Sequence, residues 1–190
     1  RPEVLETFQR VERDCPANPS SLHGPGRKAR AALEEARETV AELLGARRGE
    51  IIFTSGATEA NNLAILGGAR ALAEGGDGPT PLFGSKAEHP SVLGPLRILQ
   101  QEGCPLTLLP LKEGALVDLE GLDGAGPESF VSLQWANNET GCVQDLKQAK
   151  SRAPDSILHC DAVQGWGKLN PSAALEVADL FTLSGHKVGA

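Results

Sequence analysis

The chain has 190 residues, of which 40% are hydrophobic and 23% are charged. These proportions are ordinary for a soluble globular protein and exclude a fibrous repeat or a disordered chain. The formal net charge of −7 disfavours attraction to nucleic acid or to an anionic membrane surface. No apolar stretch approaches the roughly 20 residues of a membrane span. We therefore expect a cytoplasmic protein with neither a nucleic-acid nor a membrane partner.

The first third of the chain predicts two helices separated by a loop. Apolar residues recur at intervals of three and four in residues 2–13 and again in residues 27–44. Proline, glycine, serine and asparagine concentrate in residues 15–26, and these residue types interrupt regular structure.

The rest of the chain alternates short apolar runs with turn-forming or amphipathic segments. Runs rich in β-branched, leucine and aromatic residues predict strands at residues 50–54, 81–84, 106–109, 130–134, 156–160 and 178–183. Helical segments are predicted at residues 62–66, 90–99, 118–122 and 145–152. This alternation predicts an α/β fold with a mostly parallel sheet and helices on both faces. We expect one domain over residues 1–190, with residues 1–13 as an N-terminal helical segment.

Small polar clusters follow five of the predicted strands. They occupy residues 55–59, 85–89, 137–139, 161–164 and 184–187. Because the carboxyl ends of parallel strands share one edge of a sheet, these clusters are predicted to converge on one pocket.

Each cluster has a structural alternative beside a functional one. Thr58 and its neighbours could cap a helix, or could expose N–H groups that bind a phosphate. His89 could be a capping or packed histidine, and Asp161 could be an N-cap, although a carboxylate after an apolar strand is costly to bury without a partner. Asn138 and Gln164 could bind a ligand or could brace their own loops.

Lys187 favours the functional interpretation. A lysine amine in a partly desolvated pocket can act as a Schiff-base nucleophile. Together with a carboxylate at Asp161, a phosphate-binding helix start and an imidazole at His89, it meets the needs of pyridoxal 5′-phosphate.

Cysteine usage points away from a metal site. The four cysteines, Cys15, Cys104, Cys142 and Cys160, are scattered without a C-x-x-C pair, so free thiols are expected and no metal is predicted. A metal site formed by His89, His159 and Cys160 is a remote alternative.

The ordered motifs closely resemble the cysteine desulfurases, which are class V aminotransferase-like enzymes of pyridoxal-phosphate fold type I. The matching segments are residues 18–23, 54–62, 88–89, 137–141, 161–164 and 184–187. They occur in the family's order across essentially the whole chain. The resemblance implies the large domain of that fold and the conversion of L-cysteine to L-alanine and an enzyme persulfide.

The resemblance also implies roles for individual residues. Lys187 would hold the cofactor and carry protons at the substrate α-carbon, and His89 would stack on the ring and assist this transfer. Asp161 would pair with the pyridine nitrogen. The residues implied around the cofactor are Ala57, Thr58, Asn138, Asp161, Gln164, Ser184, His186 and Lys187.

Part of the family's machinery follows the lysine in sequence. The sulfur-accepting cysteine, the substrate-carboxylate arginine and the small C-terminal domain are expected beyond this chain, which is therefore expected to be a fragment that lacks the catalytic cysteine. The resemblance further implies a homodimer and a sulfur-acceptor protein in iron–sulfur cluster assembly or another sulfur-transfer pathway. A selenocysteine lyase, another class V lyase or aminotransferase, and a non-catalytic scaffold are the alternatives.

Overall fold

The computed structural model describes residues 1–189, so Ala190, the last residue of the predicted domain, lies outside the described residues. The chain divides into two compact units, one formed by residues 1–53 with residue 189 and the other by residues 54–188.

The first unit contains two helices and a short turn. Helix α1 spans Pro2–Asp14 and helix α2 spans Gly24–Leu44, which confirms both predicted helices. Helix α2 begins three residues earlier than predicted, because His23 accepts a hydrogen bond from the Gly26 backbone N–H at 3.1 Å and so caps the helix. A proline is compatible with the first helical turn. The loop prediction was therefore wrong for residues 24–26.

The strand predicted at residues 50–54 is also wrong. A 3₁₀ turn covers Arg48–Glu50, and the next four residues are irregular. Arg37 of helix α2 donates a hydrogen bond to the Ile51 carbonyl and lies 4.9 Å above the centre of the Phe53 ring. These contacts hold the segment against the helix. A β-branched run forms a strand only where a partner strand satisfies its backbone groups.

The second unit is built on a five-stranded parallel sheet. Its strands are β1 (Leu82–Ser85), β2 (Leu106–Leu109), β3 (Phe130–Gln134), β4 (Ile157–Asp161) and β5 (Leu180–Thr182), in the order β2-β1-β3-β4-β5. Every pairing is parallel, which confirms the predicted α/β fold and parallel sheet.

Helices and turns precede, connect or follow these strands. They are helices α3 (Ala57–Gly75), α4 (Pro90–Gln101), α5 (Leu146–Arg152) and α6 (Ser172–Leu175), and 3₁₀ turns at Glu113–Ala115, Leu119–Leu122 and Gly185–Lys187. The one-turn helix α6 was not predicted, because four residues are too few to show a helical period.

Helices cover both faces of the sheet. Alternate residues of a strand point to opposite faces, and two separate core clusters follow from this. Leu82 and Phe130 pack with apolar residues of α3 and α4. Phe83 and Val131 pack in the other cluster, which includes residues of α5 and α6. Two-sided burial explains why these strands read as short continuous apolar runs.

Candidate functional site

Polar side chains converge on a cavity of about 270 Å³ within the second unit. Its lining residues are Ala57, Thr58, Asn61, His89, Ser91, Gln134, Ala136, Asn138, Asp161, Val163, Gln164, His186 and Lys187. Eight of the nine residues predicted from the sequence are in this set, and Ser184 is the exception. The parallel register explains the convergence, since Gln134 pairs with Asp161, which pairs with Thr182 in turn.

The start of helix α3 forms one wall of the cavity. Ala57 and Thr58 occupy its first turn, and the N-cap residue Gly56 makes no side-chain capping hydrogen bond. Upstream, the Ser55 backbone N–H donates to the Glu59 carboxylate at 2.6 Å. The first-turn N–H groups of a long helix and the helix dipole together favour an anion. This wall therefore suits a phosphate group.

His89 caps a helix and also lines the cavity. It is the N-cap of helix α4, and its Nδ1 accepts a hydrogen bond from the Ser91 backbone N–H at 3.1 Å. The Ser91 hydroxyl lies 2.8 Å from the same nitrogen. The ring also lines the cavity, so the capping bond fixes an imidazole at the site.

Asp161 ends strand β4 and is buried. One carboxylate oxygen accepts a hydrogen bond from the Val163 backbone N–H at 3.1 Å, and the other accepts one from Asn61 Nδ2 at 2.9 Å. Burial raises the pKa of Asp161, while these two hydrogen bonds oppose the rise. The two donors therefore offset part of the cost of ionising this buried carboxyl group.

Lys187 and His186 lie in the 3₁₀ turn that follows strand β5. Both side chains are exposed and line the cavity. Ser184 is buried and does not line the cavity; its hydroxyl lies 2.7 Å from His186 Nδ1. Its place in the structure is therefore behind the imidazole of His186.

The two predicted amides differ in their surroundings. Asn138 is exposed at the cavity. Its neighbour Asn137 stabilises the loop, because its side-chain oxygen accepts hydrogen bonds from the backbone N–H groups of Glu139 and Thr140, each at 2.9 Å. Gln164 lines the cavity and accepts a hydrogen bond from Lys168 Nζ at 2.9 Å.

Three polar lining residues were missed by the sequence reasoning: Asn61, Ser91 and Gln134. Asn61 lies one turn beyond Ala57 on helix α3, so helical periodicity could have placed it on the cavity side. Gln134 ends strand β3 and could have been found by the rule that located Asp161. Ser91 gave no signal beyond being close to His89.

The buried cysteine and the metal alternative contribute nothing to this site. Burial raises the pKa of the Cys160 thiol well above its usual value, which suppresses the reactive thiolate. Within residues 1–189, no three histidine, cysteine or acidic side chains form a group that could hold a metal ion.

None of the described helices combines the length and apolar character needed to cross a bilayer.

Comparison with known families follows the same lines as the geometry. The model of the aminotransferase class-V family matches residues 1–190. The chain belongs to the class V aminotransferase family. Enzymes of this family use pyridoxal phosphate, so its membership bears out the predicted cofactor class.

Similar class V proteins include cysteine desulfurases. The cysteine desulfurase IscS of Dictyoglomus turgidum is 39% identical over 98% of this chain and 48% of its own length. The mitosomal cysteine desulfurase of Trachipleistophora hominis is 37% identical over 98% of this chain and 43% of its own length. The chain therefore spans about half the length of these relatives.

Solved structures of class V proteins share the fold. A NifS-like protein superposes with a TM-score of 0.85 at 32% identity, covering 99% of this chain and 53% of that one. The structure titled "SspA in complex with cysteine" has a TM-score of 0.85 at 35% identity, covering 98% of this chain and 54% of that one. The predicted fold type and the resemblance to cysteine desulfurases are confirmed.

The lining residues suit pyridoxal phosphate. The cavity has a helix N-terminus and a hydroxyl for the phosphate, a buried carboxylate at Asp161 for the pyridine nitrogen and an amine at Lys187 for the aldehyde carbon. A cavity of this volume is close to the lower bound of ordinary small-molecule sites. These groups are chemically suited to the phosphate, the ring nitrogen and the aldehyde of the cofactor.

Proposed function

We propose that this chain is the cofactor-binding part of a cysteine desulfurase. The observation that carries the proposal is the convergence of Lys187, Asp161 and His89 on one cavity in a class V aminotransferase chain. A scaffold that no longer catalysed a reaction would have no chemical reason to keep an amine, a buried carboxylate and an imidazole together.

The proposed mechanism gives each wall of the cavity one task. The first turn of α3 and the Thr58 hydroxyl bind the phosphate, and the Asp161 carboxylate stabilises a proton on the pyridine nitrogen. Pyridoxal phosphate, when bound, supplies an electron sink for charge that develops at the substrate α-carbon. Lys187 anchors the cofactor and moves the proton at that carbon, and His89 covers the ring and acts as a second proton carrier.

L-Cysteine is the proposed substrate. In the balanced reaction, L-cysteine and an enzyme thiol give L-alanine and an enzyme persulfide, so that the sulfur leaves one carbon and joins one thiol. The choice of cysteine is supported by the names of the similar desulfurases and by the cysteine complex of a structural relative.

The experiment uses the full-length protein with pyridoxal phosphate. With an added thiol to reduce the enzyme persulfide, we expect alanine and sulfide from L-cysteine, together with a visible cofactor absorbance band that is lost in Lys187→Ala. The matched control is Lys147→Ala, which removes an exposed lysine that pairs with Glu176 outside the cavity. Activity confined to selenocysteine would favour a selenocysteine lyase, and the absence of a cofactor band in the wild type would favour a scaffold.

The assembly and cellular context are part of the same proposal. We propose a homodimer that transfers sulfur to an acceptor protein, in iron–sulfur cluster assembly or a related pathway. The support is the name IscS among the relatives. A cytoplasmic location is proposed by analogy with the bacterial proteins, although one similar desulfurase is mitosomal.

A further inference from the structure

Asn61 connects two other residues of the candidate site through hydrogen bonds. Its side chain is fully buried on helix α3. Asn61 Nδ2 donates to Asp161 Oδ2 at 2.9 Å and to the Ser91 hydroxyl oxygen at 3.0 Å. Asn61 Oδ1 accepts a hydrogen bond from the Thr182 hydroxyl at 2.6 Å. All of the polar atoms of this amide are therefore used.

The chemistry of these partners fixes the orientation of the amide. An ionised carboxylate only accepts hydrogen bonds, so Asp161 must face the NH₂ group. The reverse orientation would place the amide oxygen against the carboxylate, and a buried pair of unpaired acceptors costs free energy. Thr182 then has to donate to Asn61 Oδ1.

The contacts that Thr182 and His159 make are consistent with Thr182 donating to Asn61. Because the Thr182 hydroxyl donates to Asn61, its oxygen can accept from His159 Nε2, which lies 3.4 Å away. His159 Nδ1 lies 2.8 Å from the Ser132 hydroxyl, which can donate to it. Burial lowers the pKa of His159 to about 3. A neutral ring with one donor nitrogen and one acceptor nitrogen is what these two contacts need.

The Ser91 hydroxyl extends this hydrogen-bond network from Asn61 to His89. Since the Ser91 oxygen accepts from Asn61, its hydroxyl proton is free to point at His89 Nδ1, 2.8 Å away. The Ser91 backbone N–H donates to the same nitrogen at 3.1 Å. Two donors on one ring nitrogen require its lone pair, so the proton of the neutral imidazole must be on Nε2.

We propose that Asn61 is a positioning residue that sets the Asp161 carboxylate and, through the Ser91 hydroxyl, holds His89 as the Nε2–H tautomer. One amide thereby orients the carboxylate that faces the pyridine nitrogen and the imidazole that faces the same ring. The functional meaning of this arrangement rests on the proposed desulfurase function. The tautomer itself is a property of the protein without cofactor or substrate.

The test reads the tautomer directly in the cofactor-free, full-length protein. Nitrogen-15 NMR of labelled histidine separates a ring that is protonated at Nε2 from one protonated at Nδ1, and a His89→Gln variant identifies the His89 signals. We expect the Nε2–H pattern in the wild type. In Asn61→Leu, which removes both donors at similar volume, the two nitrogen shifts should move toward each other as the tautomers mix.

The matched control is Thr80→Val. It removes another buried hydroxyl of the same unit, one that donates to the Ala69 carbonyl at 2.8 Å and lies outside the network. We expect it to leave the His89 signals unchanged. If Asn61→Leu does not fold, Ser91→Ala is tested instead. This variant removes the hydroxyl group, which lies closer to His89 Nδ1 than the Ser91 backbone N–H does. The proposal is overturned if the wild type carries its proton on Nδ1, or if the His89 signals are unaffected by the variant that folds.

A second measurement tests the hydrogen bond from Asn61 to Asp161. Loss of a hydrogen bond to a buried carboxylate should raise the dissociation constant for pyridoxal phosphate about 10-fold or more in Asn61→Leu. An unchanged constant contradicts the Asp161 part of the proposal. Failure of the wild type to release alanine from L-cysteine, with the tautomer response intact, would refute the proposed function and leave the positioning role standing.

Discussion

Glu88 is a buried carboxyl group immediately before His89. One of its oxygens accepts a hydrogen bond from the Ser85 hydroxyl at 2.7 Å, and the other has no hydrogen-bond partner within residues 1–189. Burial raises the pKa of Glu88 to about 8, the Ser85 hydrogen bond opposes this rise, and the charge of Asp161 adds to it. Glu88 is therefore a neutral acid at pH 7.

Replacing Glu88 by glutamine should change the pH dependence of stability. The folded-state pKa of about 8 exceeds the ordinary value of 4.5, so the native protein loses free energy of unfolding as the pH rises between these values. Glu88→Gln cannot lose a proton. From pH 5 to pH 8 its stability relative to the wild type should rise by roughly 3 kcal/mol in urea unfolding. A difference that stays constant with pH contradicts the assigned protonation.

The sequence predicted the site residues that follow strands better than the residues that support them. Asp161 and Lys187 were identified because each follows an apolar strand, and strand ends in a parallel sheet share an edge. Asn61 lies inside a helix, where an asparagine in the sequence has no mark that separates a buried amide from a solvated one. Its role depends on Thr182, which is 121 residues away in the chain. No local pattern contains that contact.

Helix α3 packs closely against the sheet at Gly68. A Cβ atom built there would lie 2.5 Å from Phe130 Cε2 and 3.3 Å from Leu180 Cδ1. The adjacent Gly67 is exposed, and a Cβ built on it meets nothing within 4 Å. Two neighbouring glycines of one helix therefore stand in opposite environments.

Alanine at these two positions should have opposite effects. Gly68→Ala forces the helix or the Phe130 ring to move, and overpacking of a core costs about 1–3 kcal/mol, more than the roughly 1 kcal/mol gained in helix propensity. Gly67→Ala should keep that gain. Thermal or urea unfolding of both variants measures the difference, and equal effects would mean that α3 is not held against the sheet at Gly68.

Strands and helices of the sheet were predictable where the pattern was local. The strands at 106–109 and 130–134 were predicted with their observed bounds, because both are short apolar runs between turn signals. The strand at residues 50–54 failed for a non-local reason. Its composition suits a strand, but Arg37 of helix α2 donates a hydrogen bond to the Ile51 carbonyl. Strand formation depends on a partner that the run itself does not specify.

At the scale of the molecule, two buried groups oppose each other across the pH range. The folded-state pKa of Glu88, about 8, makes alkaline conditions destabilising, and the pKa of His159, about 3, makes acidic conditions destabilising. The His159 contribution is fully present above its ordinary value of 6.5 and is lost as the pH falls. Between the ordinary pKa values of 4.5 and 6.5, the two contributions to the free energy of unfolding change in opposite directions with pH.

The cofactor-free protein should therefore be most stable at mildly acidic pH. From the two shifts we expect the free energy of unfolding to be highest between roughly pH 4.5 and 6.5 and to fall on both sides. Urea unfolding at a series of pH values measures this curve, and Glu88→Gln should flatten its alkaline side. A stability that rises steadily from pH 6.5 to pH 8 would show that other groups dominate.

Strand β5 lies at one end of the sheet order and follows the other four described strands along the chain. Lys187 follows it, and the first turn of helix α3 was made about 130 residues before. Contacts over such separations are slow to form because the chain must first close a long loop. In the nascent chain, the walls of this cavity are therefore complete only after strand β5 and the turn that follows it have been made.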